Sequence, residues 1–169
     1  MYKNRIVFPG EMYVSSNPED ILIAYDLVST LGIGMYNFIE KFGGIAHISV
    51  PEHLIDSSEG FYSYMEKSIS SLLEKIDPKR ARIHYGHICL VGGANRLDTI
   101  KKSTHFNIGT RSIIAAREIL NKHHLNILKE EVGGNLSRTF RVYIGSGKMT
   151  CRTIGYEEKL INYQNLYMS

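Results

Sequence analysis

Phe61, Met65, Ile69, Leu72, Leu73 and Ile76 recur at helical steps, in a chain whose flanks are built of short β-type runs. This change of period constrains the fold more than any other feature. A helix with one apolar stripe has to bury it, and the flanking strands supply the sheet that covers it. Ser57 or Ser58 is placed to cap the helix, and Asp77-Pro78 to stop it, because proline disfavours helical backbone in the residue before it. A second helix is expected from about Thr110 to His123, burying Ile113, Ala116, Ile119 and Leu120. His123 and His124 suit the negative end of its dipole when protonated.

Before the first helix the expected strands are Ile6–Phe8, Glu11–Ser15, Ile21–Ala24, Leu27–Phe38 in pieces, and Ile45–Val50. Pro9-Gly10, Asn17-Pro18 and Gly43-Gly44 separate them as turn formers. Further strands are expected at Ala81–Val91, at Leu125–Val132, and at Thr139–Ile144 paired with Lys148–Ile154 around Gly145-Ser-Gly147. The pattern predicts an α+β fold, a single domain of β-sandwich or mixed sheets with two main helices packed on one side. That domain is expected to span residues 1–156, with a polar, tyrosine-rich C-terminal tail over 157–169.

A chain of 169 residues suffices for one domain with a sizeable core. The net charge of +3 comes from 20 basic and 17 acidic residues spread along the sequence, which speaks against a nucleic-acid partner. Lys79-Arg80 and Lys101-Lys102 read as solvated loop ends. No apolar run approaches the roughly 20 residues that membrane insertion needs. Met1-Tyr-Lys-Asn-Arg5 leads into no apolar segment of the kind a secretory signal carries, so a cytoplasmic location is expected. Cys89 and Cys151 lie in apolar alternating runs and read as core residues. His84 and His87 lie three apart on one expected strand, facing opposite ways, and no metal site emerges.

Five short motifs occur in order. Pro9-Gly-Glu11 opens the series. Ile21-Leu-Ile-Ala-Tyr-Asp-Leu-Val-Ser-Thr-Leu-Gly-Ile-Gly34 leads into Gly43-Gly-Ile-Ala-His-Ile-Ser-Val-Pro51 as one segment. Gly92-Gly-Ala94, Asn107-Ile-Gly-Thr-Arg111 and Gly133-Gly-Asn-Leu-Ser-Arg138 follow. Each alone is weak, since glycine pairs mark turns in many folds. Together and in register, from residue 9 to about 154, they resemble the CheD family of chemoreceptor glutamine deamidases.

In that family a threonine precedes a Gly-Ser-Cys nucleophile turn, and a Gly-x-x-His-x-x-x-Pro segment follows. The histidine is kept as His47, and seventeen residues before it Thr30 stands where the family has its cysteine. Ala24 falls on the family's threonine, and Val28 on the glycine two before the cysteine. The resemblance implies that Thr30 and His47 hold the nucleophile and base positions, with Ala24 a degenerate third member. Ser29, Gly43, Gly44, Gly92 and Gly93 are then expected around the substrate, with no cofactor and no metal.

The family's chemistry needs a thiolate, which attacks the carboxamide of a glutamine side chain while the histidine shuttles protons. A cysteine, with a free pKa near about 8.5, ionises beside an imidazole, whereas a threonine hydroxyl does not. The expectation is therefore a catalytically impaired relative that binds the cytoplasmic part of a chemoreceptor, or a CheC-type phosphatase. The competing expectation is an active protein-glutamine deamidase using Thr30 with His47. Ser29 is a further candidate nucleophile, although neighbouring side chains on an extended backbone point to opposite faces.

Overall fold

The structure is a computed structural model, and it describes residues 1–78, 86–95 and 107–162. The charged pairs Lys79-Arg80 and Lys101-Lys102, His84, the first half of the strand expected at Ala81–Val91, and residues 163–169 lie outside the described residues.

Two five-stranded sheets face each other. The first takes the order β1 (Lys3–Ile6), β3 (Asp20–Leu27), β8 (Arg138–Tyr143), β9 (Met149–Thr153) and β10 (Lys159–Leu160). The second takes β2 (Met12–Ser15), β5 (Phe42–Ile48), β4 (Leu31–Asn37), β6 (His87–Gly92) and β7 (Lys129–Val132). Neighbours are antiparallel except β1 with β3 and β6 with β7. A short helix α1 (Glu52–Ile55), then α2 (Ser58–Ile76) and α3 (Ile108–Lys122), complete the described elements.

Two apolar layers result. Leu22, Ala24, Leu27, Tyr36, Ile45, Phe140 and Val142 fill the space between the sheets. Leu31, Ile33, Met35, Ala46 and Ile48 point the other way, into a second layer beneath α2 and α3. The central strand β4 is thus buried at every position, which is why its sequence lacks a clean alternation. All six apolar residues of α2 are buried as their spacing predicts, each contributing roughly 1.5–3 kcal/mol. Ser57 caps the helix by accepting a hydrogen bond from the Gly60 N–H at 3.0 Å, and Asp77 ends it.

The α+β sandwich with both long helices on one side is the architecture expected, with four local differences, the first being that Gly43-Gly44 is not a turn but lies inside β5, paired with β2 and β4. The first strand forms at residues 3–6, because its parallel register with β3 uses Lys3 to Ile6, while Val7 donates one further hydrogen bond to the Ile23 carbonyl at 2.8 Å before the turn at Pro9-Gly10. Only Lys129–Val132 of the run expected at Leu125–Val132 pairs with β6, while Leu125 is buried just beyond the C-terminus of α3. Residues 157–162 are not a tail. Lys159 and Leu160 pair with β9, Ile161 enters the core between the sheets, and the buried Asn162 side chain accepts from the Met149 N–H at 2.6 Å.

Candidate active site

The chain leaves β3 through a bulge. Ala24 pairs with Phe140 and Leu27 with Arg138, so Tyr25 and Asp26 together oppose Thr139 alone. Asp26 adopts the left-handed conformation, φ +53°, and both Tyr25 and Asp26 are exposed. Val28, Ser29 and Thr30 then form a half-buried bend before β4 begins at Leu31. Across the β4–β5 ladder Gly32 pairs with His47, and a Cβ at Gly32 would stand 3.1 Å from Leu27 Cδ1 and 3.2 Å from Phe140 Cδ1 in the inter-sheet core. The Thr30 hydroxyl reaches His47 Nε2 at 2.9 Å.

His47 is 1% exposed and is held from three directions. Its Nδ1 lies 2.9 Å from the Val7 carbonyl. A carbonyl only accepts, so Nδ1 carries the proton, and Nε2 is left to accept from the Thr30 hydroxyl. The His47 N–H donates to the Glu11 carbonyl at 2.9 Å, and the Gly10 N–H donates to the His47 carbonyl at 2.8 Å. The Pro9-Gly-Glu11 turn is therefore a clamp on the histidine. Burial pushes the His47 pKa below its ordinary 6.5, against opposing pulls from the Val7 carbonyl and the carboxylates of Asp26 and Glu11. At neutral pH the pair is a neutral imidazole and a neutral hydroxyl.

A strap of backbone hydrogen bonds holds the bend from the other side. The Gly93 N–H donates to the Thr30 carbonyl at 2.9 Å, and the Ala94 N–H to that of Val28 at 2.5 Å. Gly92, at φ +111°, lies so close that a Cβ there would stand 2.5 Å from the Thr30 carbonyl oxygen. The strap is itself backed by the Gly133–Arg138 loop. The Gly133 N–H donates to the Gly92 carbonyl at 3.0 Å, and Arg138 Nη1 donates to the Gly133 carbonyl at 2.8 Å.

Of the expected site residues, the structure brings together Thr30 and His47, with Ser29 next to them on the bend and Gly92 and Gly93 beneath. Ala24 is wholly buried in the inter-sheet core, across from Phe140. Gly43 and Gly44 are placed differently from the expectation that they line the substrate. They lie inside β5, where a side chain at Gly43 would run into Tyr36 and one at Gly44 into Ile76 and Val14. Their role is to let β5 pack closely on both faces. Val7 and Asp26 escape the sequence reading, and only the Pro9-Gly-Glu11 turn hints at the first.

Neither cysteine competes for the nucleophile role. Both are buried in the inter-sheet core, and burial pushes the Cys89 thiol up to about 12 and the Cys151 thiol up to about 11. His87 is occupied structurally, accepting from Asn162 Nδ2 at 3.1 Å and stacking edge-on with Phe38. Among the described residues no group of His, Cys, Asp and Glu is arranged to hold a metal ion, and no helix is long and apolar enough to cross a membrane.

A hydroxyl–imidazole pair at one end of a sandwich, with a carbonyl orienting the histidine, has the layout of a nucleophile and base for acyl transfer. The model of the CheD family, described as CheD chemotactic sensory transduction, matches residues 51–153. A probable chemoreceptor glutamine deamidase CheD of Solibacter usitatus is 31% identical over 159 residues, spanning 92% of each chain. Its namesake in Caldanaerobacter subterraneus is 32% identical over 142 residues, 83% of this chain and 88% of the relative. Another in Clostridium novyi is 31% identical, covering 82% and 86%. The chain belongs to the CheD family. A solved structure, Neisseria meningitidis protein NMB0706, overlaps 79% of this chain and 64% of its own at a TM-score of 0.46 and 9% identity, a likeness too loose to carry an argument.

Proposed function

We propose that this CheD-family chain binds glutamine-bearing helices of a chemoreceptor's cytoplasmic domain at the Thr30–His47 site, with amide hydrolysis strongly impaired. The observation that carries the reading is the 2.9 Å contact between a threonine hydroxyl and a neutral imidazole. Attack on a glutamine carboxamide would form a bond from Oγ1 to the carbonyl carbon as the hydroxyl proton moves to Nε2. The leaving ammonia would carry a proton away, and water would then cleave the ester to glutamate. A thiol enters this sequence already ionised beside an imidazole, whereas the threonine hydroxyl must lose its proton during the attack itself. Its methyl group also crowds the approach. Binding needs none of this, since it rests on shape and on paired polar groups.

The same hydrogen bond favours a second reading, a slow deamidase with Thr30 as nucleophile and His47 as base, because the proton path is in line. The geometry supports the site in both readings, and the poor acidity of the hydroxyl favours the first. A CheC-type phosphatase is the other partner the resemblance implies, and it would compete for the same surface.

Calorimetry with a chemoreceptor cytoplasmic fragment tests the proposal. Micromolar binding that Thr30→Arg abolishes, with circular dichroism unchanged, is the expected result. Binding untouched by Thr30→Arg would move the partner surface elsewhere on the fold, and no binding at all would remove it.

A further inference from the structure

The Gly133–Arg138 loop beneath the strap has little packing of its own. Gly133 and Gly134 stand at φ +80° and +69°, and the space around them is open. A Cβ at Gly133 would meet nothing within 4 Å, and one at Gly134 only Arg138 Nη2 at 3.9 Å. Glycine loses more backbone freedom on ordering than any other residue, so two in succession need a directional contact to fix them. The half-buried Arg138 supplies it, donating from Nη1 to the Gly133 carbonyl at 2.8 Å. The glycine pair then grips the strap twice. The Gly133 N–H donates to the Gly92 carbonyl at 3.0 Å, and the Gly134 carbonyl accepts from the Asn95 N–H at 2.8 Å. Gly92 and Asn95 flank Gly93 and Ala94, whose N–H groups hold the carbonyls of Thr30 and Val28. The backbone of Arg138 meets the same bend at its entrance, pairing with Leu27, the last residue of β3.

We infer that Arg138 is a positioning residue for the Thr30–His47 pair: its guanidinium fixes the Gly133–Gly134 loop, the loop fixes the strap, and the strap holds the Thr30 hydroxyl against His47 Nε2. Arg138 acts through this relay and touches neither member of the pair by its side chain hydrogen bond. A hydrogen bond from a charged donor is among the stronger ones in a protein, and the planar guanidinium keeps its direction better than a flexible ammonium. The relay ends on carbonyls at two of the three bend residues, so a slack loop lets the bend turn and carries the hydroxyl away from the imidazole. The inference goes beyond the binding and hydrolysis readings and holds for either, because both place the partner at this pair.

The test uses the full chain without a partner, so its failure is separate from any failure of the binding reading. The nitrogen NMR resonance of His47 Nε2 reports whether the Thr30 hydroxyl donates to it, and Thr30→Val, which exchanges that hydroxyl for a methyl, calibrates the shift. Arg138→Met should move the resonance in the same direction, by the larger part of the calibrated shift. It should also speed hydrogen exchange at the Gly93 and Ala94 amides about five- to thirtyfold. Arg138→Lys, which keeps a charged donor, should recover part of both readings. Arg141→Met is the control: it removes an ion pair with Glu158 from the same strand and should leave both unchanged. If Arg138→Met fails to fold, Arg138→Gln, a shorter and neutral polar side chain, takes its place with the same expectations. An unmoved His47 resonance in a folded Arg138 variant, or an equal shift in Arg141→Met, would overturn the positioning role. Arg138→Lys indistinguishable from Arg138→Met would overturn the assignment of that role to the donated hydrogen bond.

Discussion

Replacing Gly92 by alanine should loosen the bend that holds Thr30, and the size of the effect follows from the geometry. The new Cβ would stand 2.5 Å from the Thr30 carbonyl oxygen and 3.1 Å from Leu27 Cβ, at a residue whose φ is +111°. The first neighbour is backbone and cannot rotate away, so either the strap or the bend must move. Backbone strain of this kind costs of order 1–3 kcal/mol, and the displaced Gly93–Thr30 hydrogen bond adds about 1 kcal/mol. The expected loss is roughly 2–4 kcal/mol, or a fall in Tm of roughly 4–16 °C for a chain of this size. Gly155→Ala is the matched control, because Gly155 has a φ of +83° and a Cβ there meets nothing within 4 Å. It should cost only the backbone penalty of about 1–2 kcal/mol. Thermal unfolding of the two variants side by side, with the His47 ring signals followed by NMR, separates strain from collision. A Gly92→Ala variant as stable as Gly155→Ala, with unaltered His47 signals, would refute the argument that the glycine strap positions Thr30.

Other outcomes follow from the same structure. The folded pKa of His47 lies below its ordinary 6.5, so its contribution to stability is complete above that value and is lost as pH falls through the folded pKa. Stability measured from pH 7 downward should fall less steeply in His47→Gln than in the natural chain, and His87→Gln should flatten the fall in the same direction, because burial shifts that histidine the same way. Tyr36→Phe removes a buried hydrogen bond of 2.6 Å to the Ile144 carbonyl and should cost about 1–2 kcal/mol in denaturant unfolding. Both thiols should resist alkylation at pH 8 in the folded protein and react on unfolding, since burial holds them at about 12 and about 11. Modification of either in the native state would reopen the question of a cysteine nucleophile.

Some of this organisation is legible in the sequence, for identifiable reasons. Helix α2 announces itself because six apolar residues repeat at its period between a serine cap and Asp77-Pro78. Strand β4 is harder to read, because layers cover both of its faces and remove the alternation. Residues 157–162 look like a tail because a single side chain, Ile161, supplies the apolar burial there and the pairing with β9 is made by backbone. At the site, the spacing of Thr30 and His47 is legible through the family motif. The orienting group is not, since the Val7 carbonyl is backbone and carries no residue signature. Gly43 and Gly44 mislead for a related reason, as a glycine that admits a close neighbour looks the same in sequence whether that neighbour is substrate or core. The left-handed conformation of Asp26 depends on the β3–β8 register, which only the folded sheet defines.

The central claim is that Thr30 occupies the nucleophile position beside a competent base, and that its hydroxyl is what limits hydrolysis. Ammonia release from a chemoreceptor cytoplasmic fragment, measured for the natural chain, Thr30→Cys and Thr30→Ala, tests it most directly. Background release is expected from the natural chain and from Thr30→Ala, with a gain of at least about two orders of magnitude in Thr30→Cys that disappears when His47 is also changed to alanine. Turnover by the natural chain that vanishes in Thr30→Ala, or a folded, receptor-binding Thr30→Cys variant that stays silent, would contradict it.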